Sequence, residues 1–187
     1  DYILHRKGTV RVATNSVYPH SINNTIYLEN RTDTHSPRMV TSDAEGSLHF
    51  TYFDGRHEVI NLDSYNEFHH FLVANLDSDP EYEYILTNGE QLNILDNNYK
   101  VIMKKKFKSE ISHPPHVYAF SSQLLKVGIT LRNENKIHLI DLKGTNHPGF
   151  PLDGNTEFSI GFISNESTNF NLLVGSPDSY LYNYYVE

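Results

Sequence analysis

Cysteine and tryptophan are both absent from the 187 residues. Without cysteine there are no disulfides, zinc-thiolate sites or thiol nucleophiles, while the compartment is left open. Positive charge is scarce: 15 Lys and Arg stand against 23 Asp and Glu, a formal charge of -8. Such a balance argues against a phosphate-binding surface, and so against nucleic acid as a partner. No stretch approaches the 18 consecutive apolar residues of a membrane-spanning helix, and no apolar run shows a sustained 3.6-residue period. The sequence also lacks a Gly-x-Ser-x-Gly elbow, a phosphate-cradling glycine loop and a His-Glu-x-x-His motif, so no catalytic residues are assigned. What is present in quantity is aromatic: 13 Tyr and 10 Phe offset an apolar fraction of 38% and give the chain enough to build a core.

Internal repetition is the dominant signal. Four alternating segments align, Leu48 to Phe53, Leu92 to Asp96, Ile137 to Asp141 and Leu181 to Tyr185, and their first residues lie 44, 45 and 44 apart. Each follows a turn signal, Glu45-Gly46, Asn88-Gly89, Asn133 to Asn135 or Pro177 to Ser179, where Gly and Asn tolerate positive φ. Upstream of each turn lies a second strand-like run (Arg38 to Thr41, Tyr82 to Leu86, Leu125 to Ile129, Phe170 to Val174). Before that comes a third (Ile26 to Leu28, Phe71 to Ala74, Val117 to Phe120, Phe158 to Gly161). Glu58 to Leu62 and Val101 to Phe107 supply a fourth strand in two of the units. Antiparallel units of strands a, b, c and d recurring every 44 to 45 residues predict an all-β fold, a β-propeller of about four and a half four-stranded blades.

The expected division is strands c and d of an earlier blade in 1–23, blades in 24–68, 69–113 and 114–157, and a last blade lacking strand d in 158–187. Two readings follow. Either the chain is the closing part of a larger propeller, or residues 9–18 complete a compact four-bladed ring; the surplus strand Tyr2 to His5 favours the first.

The segment Ala74 to Leu86 resembles the FG-GAP and VCBS type of propeller repeat, in which an Asp-x-Asp-Gly-Asp-Gly-x-x-Glu loop joins strands a and b and often holds calcium. The resemblance places Asn75, Asp77, Asp79 and Glu83 on the oxygen-donor positions, and alternate residues of a tight loop can converge on one hard cation. Asn75 stands where the family has its first Asp, and Ser78 and Pro80 stand where it has Gly. Asp77 and Asp79 equally suit an a-to-b turn capped by Asx hydrogen bonds. A second stretch, His147 to Gly154 leading through Phe158 to Gly161 and Asn171 to Tyr182, resembles the PQQ-like closing blades of uncharacterised envelope propellers of the Bacteroidetes type. That resemblance implies a bacterial, extracytoplasmic setting at the periplasm or cell surface, with membrane attachment only through a lipid anchor outside this chain. The missing Trp counts against a quinoprotein dehydrogenase, whose cofactor is commonly held between Trp rings, and against a sialidase with its Trp-ending Asp boxes.

Three further groups invite a function. His70, His113 and His116 precede strand a of successive blades, on the face near the axis where propeller ligands usually sit. The run Lys104-Lys105-Lys106-Phe107-Lys108 suits an anionic surface, but on an outer strand lysine is a common guard against edge pairing. Tyr180, Tyr182 and Tyr184 would stack on a glycan or pack between blades. Together these features predict a non-catalytic interaction or scaffold module that uses a propeller face to bind a protein or surface polysaccharide. The alternative is part of a hydrolase or quinoprotein-like enzyme with an axial active site.

Overall fold

The computed structural model describes residues 2–4, 10–13, 18–30, 36–62, 65–77, 79–121, 124–164 and 169–186, the first two segments by their backbone. Strands β1 (Tyr2–Leu4) and β2 (Val10–Ala13) pair as a two-stranded antiparallel sheet. The first larger sheet joins β3 (Tyr27–Glu29), β4 (Arg38–Ser42), β5 (Leu48–Tyr52) and β6 (His57–Ile60). The second joins β7 (His70–Ala74), β8 (Glu83–Asn88), β9 (Gln91–Leu95) and β10 (Val101–Lys106). The third holds β11 (His116–Ser121), β12 (Leu124–Leu131), β13 (Lys136–Ile140) and the short β14 (Leu152–Asp153), and the fourth holds β15 (Phe158–Gly161), β16 (Phe170–Gly175) and β17 (Leu181–Val186). Every pairing is antiparallel between consecutive strands, and the described residues contain no α-helix. The fold is the all-β propeller expected from the repeat.

Several strand ends shift by one or two residues from the sequence reading, and β14 is a fourth strand that it did not assign. In the first sheet, strand a extends to Glu29, because its carboxylate is drawn to Arg38 directly across the ladder. In the third sheet, β14 has only two residues: Pro148 and Pro151 offer no backbone N–H, so a longer ladder cannot form there.

Sheet stacking follows from side-chain alternation. Tyr84 and Leu86 of β8 and Leu95 of β9 pack on Val40, Leu48 and Phe50 of the first sheet. Their neighbours Ile85, Leu92 and Ile94 point the other way, into a cluster with Val127, Ile129, Leu131 and Ile140 of the third. On the third sheet Ile137 turns instead to Phe158, Leu172 and Val174 of the fourth. The middle sheets are therefore buried on both faces, which is why their strands read as nearly continuous apolar runs. Leu181 and Tyr185, on the far face of the last sheet, are exposed.

A polar triad is buried among these contacts. Arg38 donates from Nε to Glu29 Oε2 at 2.5 Å and from Nη2 to the Tyr84 hydroxyl at 2.8 Å. Tyr84 in turn donates to Glu29 Oε1 at 2.7 Å. The guanidinium lies 4.0 Å from the centre of the Phe50 ring. Burial alone would lower the Arg38 pKa, but Tyr84 and Glu29 outweigh it and hold the group charged. Because the triad spans β3, β4 and β8, it joins the first sheet to the second. Replacing Arg38 by Met strands a buried carboxylate and is expected to cost about 3–5 kcal/mol in urea unfolding. The double substitution Glu29→Gln with Arg38→Met should cost less than the sum of the two singles, since it removes both charges; additive losses would show that the pair is not coupled.

Candidate functional site

The loop from β7 to β8 is built by local Asx turns. Asp77 Oδ1 accepts the Asp79 N–H at 3.1 Å and Asp79 Oδ1 accepts the Glu81 N–H at 2.6 Å, which curls the chain back on itself. Glu83 enters from the start of β8 and is buried, its Oε2 accepting the Leu76 N–H at 2.6 Å. One carboxylate oxygen from each of Asp77, Asp79 and Glu83 lies within 4.8 Å of the others, the one such cluster of His, Cys, Asp or Glu among the described residues. Asn75 donates its side-chain N–H to the Asp79 carbonyl, while its Oδ1 is buried with no partner among the described residues. Ser78 lies outside the described residues.

The three carboxylates make an all-oxygen donor set, the kind that Ca²⁺ takes and that softer metals do not prefer. The residues present thus fit a hard cation. Burial, and after it the neighbouring Asp77 and Asp79 charges, push the Glu83 carboxyl up to about 7. A divalent ion would reverse that by favouring the carboxylate.

On the opposite face, the connections that lead from strand d to strand a line a depression of about 490 Å³ between the entries to the second and third sheets. His70 is half-buried in its wall, and burial, then His69 and His113, lower its pKa, so the ring is neutral. His113 is close enough to contribute to that shift, and its Nε2 is buried without a hydrogen-bond partner among the described residues. His116 is exposed and sits 3.7 Å from Glu157. His70 and His113 are therefore neighbours, and among the described residues the three histidines form no metal cluster. The adjoining His69 is a structural tie. Its Nδ1–H donates to the Asn66 carbonyl at 2.7 Å, leaving Nε2 to accept from Ser42 Oγ at 2.9 Å and Asn24 Nδ2 at 3.1 Å.

A second polar chain escaped the sequence reading. His49 donates from Nε2 to Asp43 Oδ2 at 2.9 Å, and its Nδ1 faces His57 Nε2 at 3.2 Å. Asp43 also accepts the Glu45 and Ser47 N–H groups, and together with His49 these outweigh burial and hold its pKa low. The visible signal was only Asp43 ahead of Glu45-Gly46; the two histidines come together through the β5–β6 pairing. Tyr18 covers both rings, with centroids 4.3 and 5.0 Å away.

Other candidates resolve simply. Lys104, Lys105 and Lys106 lie on the edge strand β10, where Lys105 binds the Gly144 carbonyl and Lys106 pairs with Glu90. Tyr182 and Tyr184 pack into the core of the last sheet, whereas Tyr180 is exposed.

No protein-family model and no curated protein matches the sequence. Among solved structures, BBS1N in complex with ARL6DN (lead-soaked crystal) is similar with a TM-score of 0.59 at 11% identity, over 98% of this chain and 58% of that one. The mercury-soaked crystal of the same complex gives 0.62 at 10% identity, over 89% and 51%. The computationally designed Ika4 protein gives 0.52 at 12% identity, over 96% of this chain and 99% of that one. At such identities the likeness shows the propeller fold alone, and the chain spans a little over half of the BBS1N chain.

Two outcomes test the acidic loop. Calorimetric titration with Ca²⁺ should release heat and raise the melting temperature, and Asp77→Asn with Asp79→Asn should abolish both effects. For Glu83 the folded pKa is raised, so the fold favours the proton. In the metal-free protein its contribution is intact below the unfolded value of 4.5 and is lost as pH rises towards about 7. The loss amounts to roughly 3 kcal/mol. Glu83→Gln should flatten this part of the stability profile and stabilise the metal-free protein above pH 7; an unchanged profile would show that Glu83 titrates normally.

Proposed function

We propose that the chain is a non-catalytic binding module that holds a protein partner on the face formed by its strand d to strand a connections. The observation that carries this reading is the depression of about 490 Å³ on that face, assembled from residues of four separate segments around Asn24, His70, Thr87 and Ile111. Its framework is rigid, because the sheets beneath it are packed on both faces, and rigid scaffolds that present loops are the usual plan for recognition. Phe68 projects beside it with 76% of its surface exposed, the kind of aromatic anchor that protein interfaces use. BBS1N, which shares the fold, is crystallised with a protein partner, ARL6DN, and that supports the same use here.

A protein is a better occupant than a surface polysaccharide, because Tyr182 and Tyr184, two of the three tyrosines suited to glycan stacking, are turned into the core. An extracytoplasmic setting belongs to the proposal through the envelope-propeller resemblance of His147 to Gly154 and the segments after it. A calcium ion at Asp77, Asp79 and Glu83 would then stiffen the opposite face without touching the partner.

A photo-crosslinking residue placed at Phe68 or Ser112 should capture one and the same protein from an extract of the source cells. The same residue at Asp54, in the β5–β6 turn at the other end of the strands, should not. Equal capture from both faces, or different proteins from Phe68 and Ser112, would sink the assignment.

A further inference from the structure

A repeated hydroxyl closes strand b of successive sheets. Ser42 lies across from Leu48, Thr87 from Leu92 and Thr130 from Ile137, the same place in three blades. Two of these hydroxyls are tied to the entry of the next sheet: Ser42 Oγ meets His69 Nε2 at 2.9 Å, and Thr130 Oγ1 donates to the Thr156 carbonyl at 3.0 Å. Thr87 departs from this pattern. It is 1% exposed, its Oγ1 has no partner among the described residues, and it lines the depression beside His70. A buried hydroxyl without a partner is costly, and a ligand group that reaches it recovers the lost hydrogen bond.

The rest of the lining decides the charge of that group. Among the described residues, Glu67 and Glu110 carry the only formal charges on it, and neither forms an ion pair. The neutral His70 ring adds no positive charge, and the chain as a whole stands at -8. Phosphate and carboxylate ligands are repelled from such a wall, whereas an organic cation is drawn to it. Ile111, 4% exposed, offers an apolar floor for an aliphatic stem, and Phe68 offers an exposed ring at the rim for cation-π contact.

We propose that this depression is a cation pocket, which receives the protonated amine or guanidinium at the end of an aliphatic stem, as on a Lys or Arg side chain of the partner. Glu67 and Glu110 supply the attraction, Thr87 Oγ1 accepts a hydrogen bond from the buried end of the group, and Phe68 covers its stem. The assignment rests on the interaction reading of the same face and adds the partner's chemistry to it.

The test is titration of the full chain at low ionic strength with N-acetyl-lysine methylamide and N-acetyl-arginine methylamide, alongside spermidine, the ε-acetylated lysine amide, maltose and inorganic phosphate. The charged amides should bind, and the ε-acetylated amide, maltose and phosphate should not. Glu67→Gln with Glu110→Gln should weaken binding at least tenfold, and raising the salt concentration should weaken it further. Thr87→Val, isosteric and without the unpaired oxygen, should weaken binding severalfold while leaving the melting temperature equal or higher, which separates a lost contact from a lost fold. Spermidine binding without amide binding would support the pocket and assign its cation to a free polyamine. Maltose binding as tight as the amides, or amide binding indifferent to the double substitution, would overturn the proposal. Should a partner crosslinked at Phe68 still be captured by the double variant, the interaction face would stand and the cation pocket alone would fall.

Discussion

The Arg38 guanidinium carries a full positive charge into the core, and the joint between the first two sheets is arranged around it. A charge buried at this depth is tolerable only with its hydrogen bonds satisfied and a counter-charge in contact. Glu29 supplies the counter-charge from the neighbouring strand, Tyr84 closes the triangle from the next sheet, and Phe50 covers the planar face. An apolar contact surface would allow the two sheets to slide over one another with little change in energy. A directional triangle of hydrogen bonds does not, and so it fixes the stagger and angle at which β8 meets β4.

The two ends of the strands carry different chemistry for a simple reason. At the strand a to strand b end, the loop of the second sheet is short and rich in carboxylates, so its functional atoms are neighbours in sequence and close on one point. At the other end, the connections run from one sheet to the next, so residues such as His70 and Glu110 meet only because the sheets stack side by side. One end is suited to a small ion and the other to a larger, shaped ligand. Polar ties such as His69 to Ser42 hold the connections down, and the cavity walls are therefore set by the scaffold.

This division also governs how much was legible in the sequence. The repeat was readable because strand c of every blade carries the same alternating pattern, and 44 to 45 residues is a period that few other folds produce. The acidic loop was readable because Asp77, Asp79 and Glu83 are local, although nothing in their spacing shows that Glu83 is buried. The Glu29–Arg38–Tyr84 triad was not readable: its members come from three strands of two sheets, and an Arg at a strand start ordinarily reads as exposed. The Asp43–His49–His57 chain was hidden likewise, because it depends on which face of β5 is covered. The histidines before strand a could be placed on one face, but their separations depend on the rotation between sheets, which no spacing encodes.

Burial of the middle sheets on both faces sets a rule for how the gene can change length. In β8, Tyr84 and Leu86 serve one joint and Ile85 the other, so one residue gained or lost inside the strand would exchange the two sets and spoil both joints at once. Length can drift between strands, and at the sheet edges, where β10 and β11 already carry register shifts. The turn from β8 to β9 holds two residues, Gly89 and Glu90, whereas that from β12 to β13 holds four, Arg132 to Asn135. Insertions and deletions in related sequences should therefore gather at the hairpins and connections, and gains within the stack should come as whole blades.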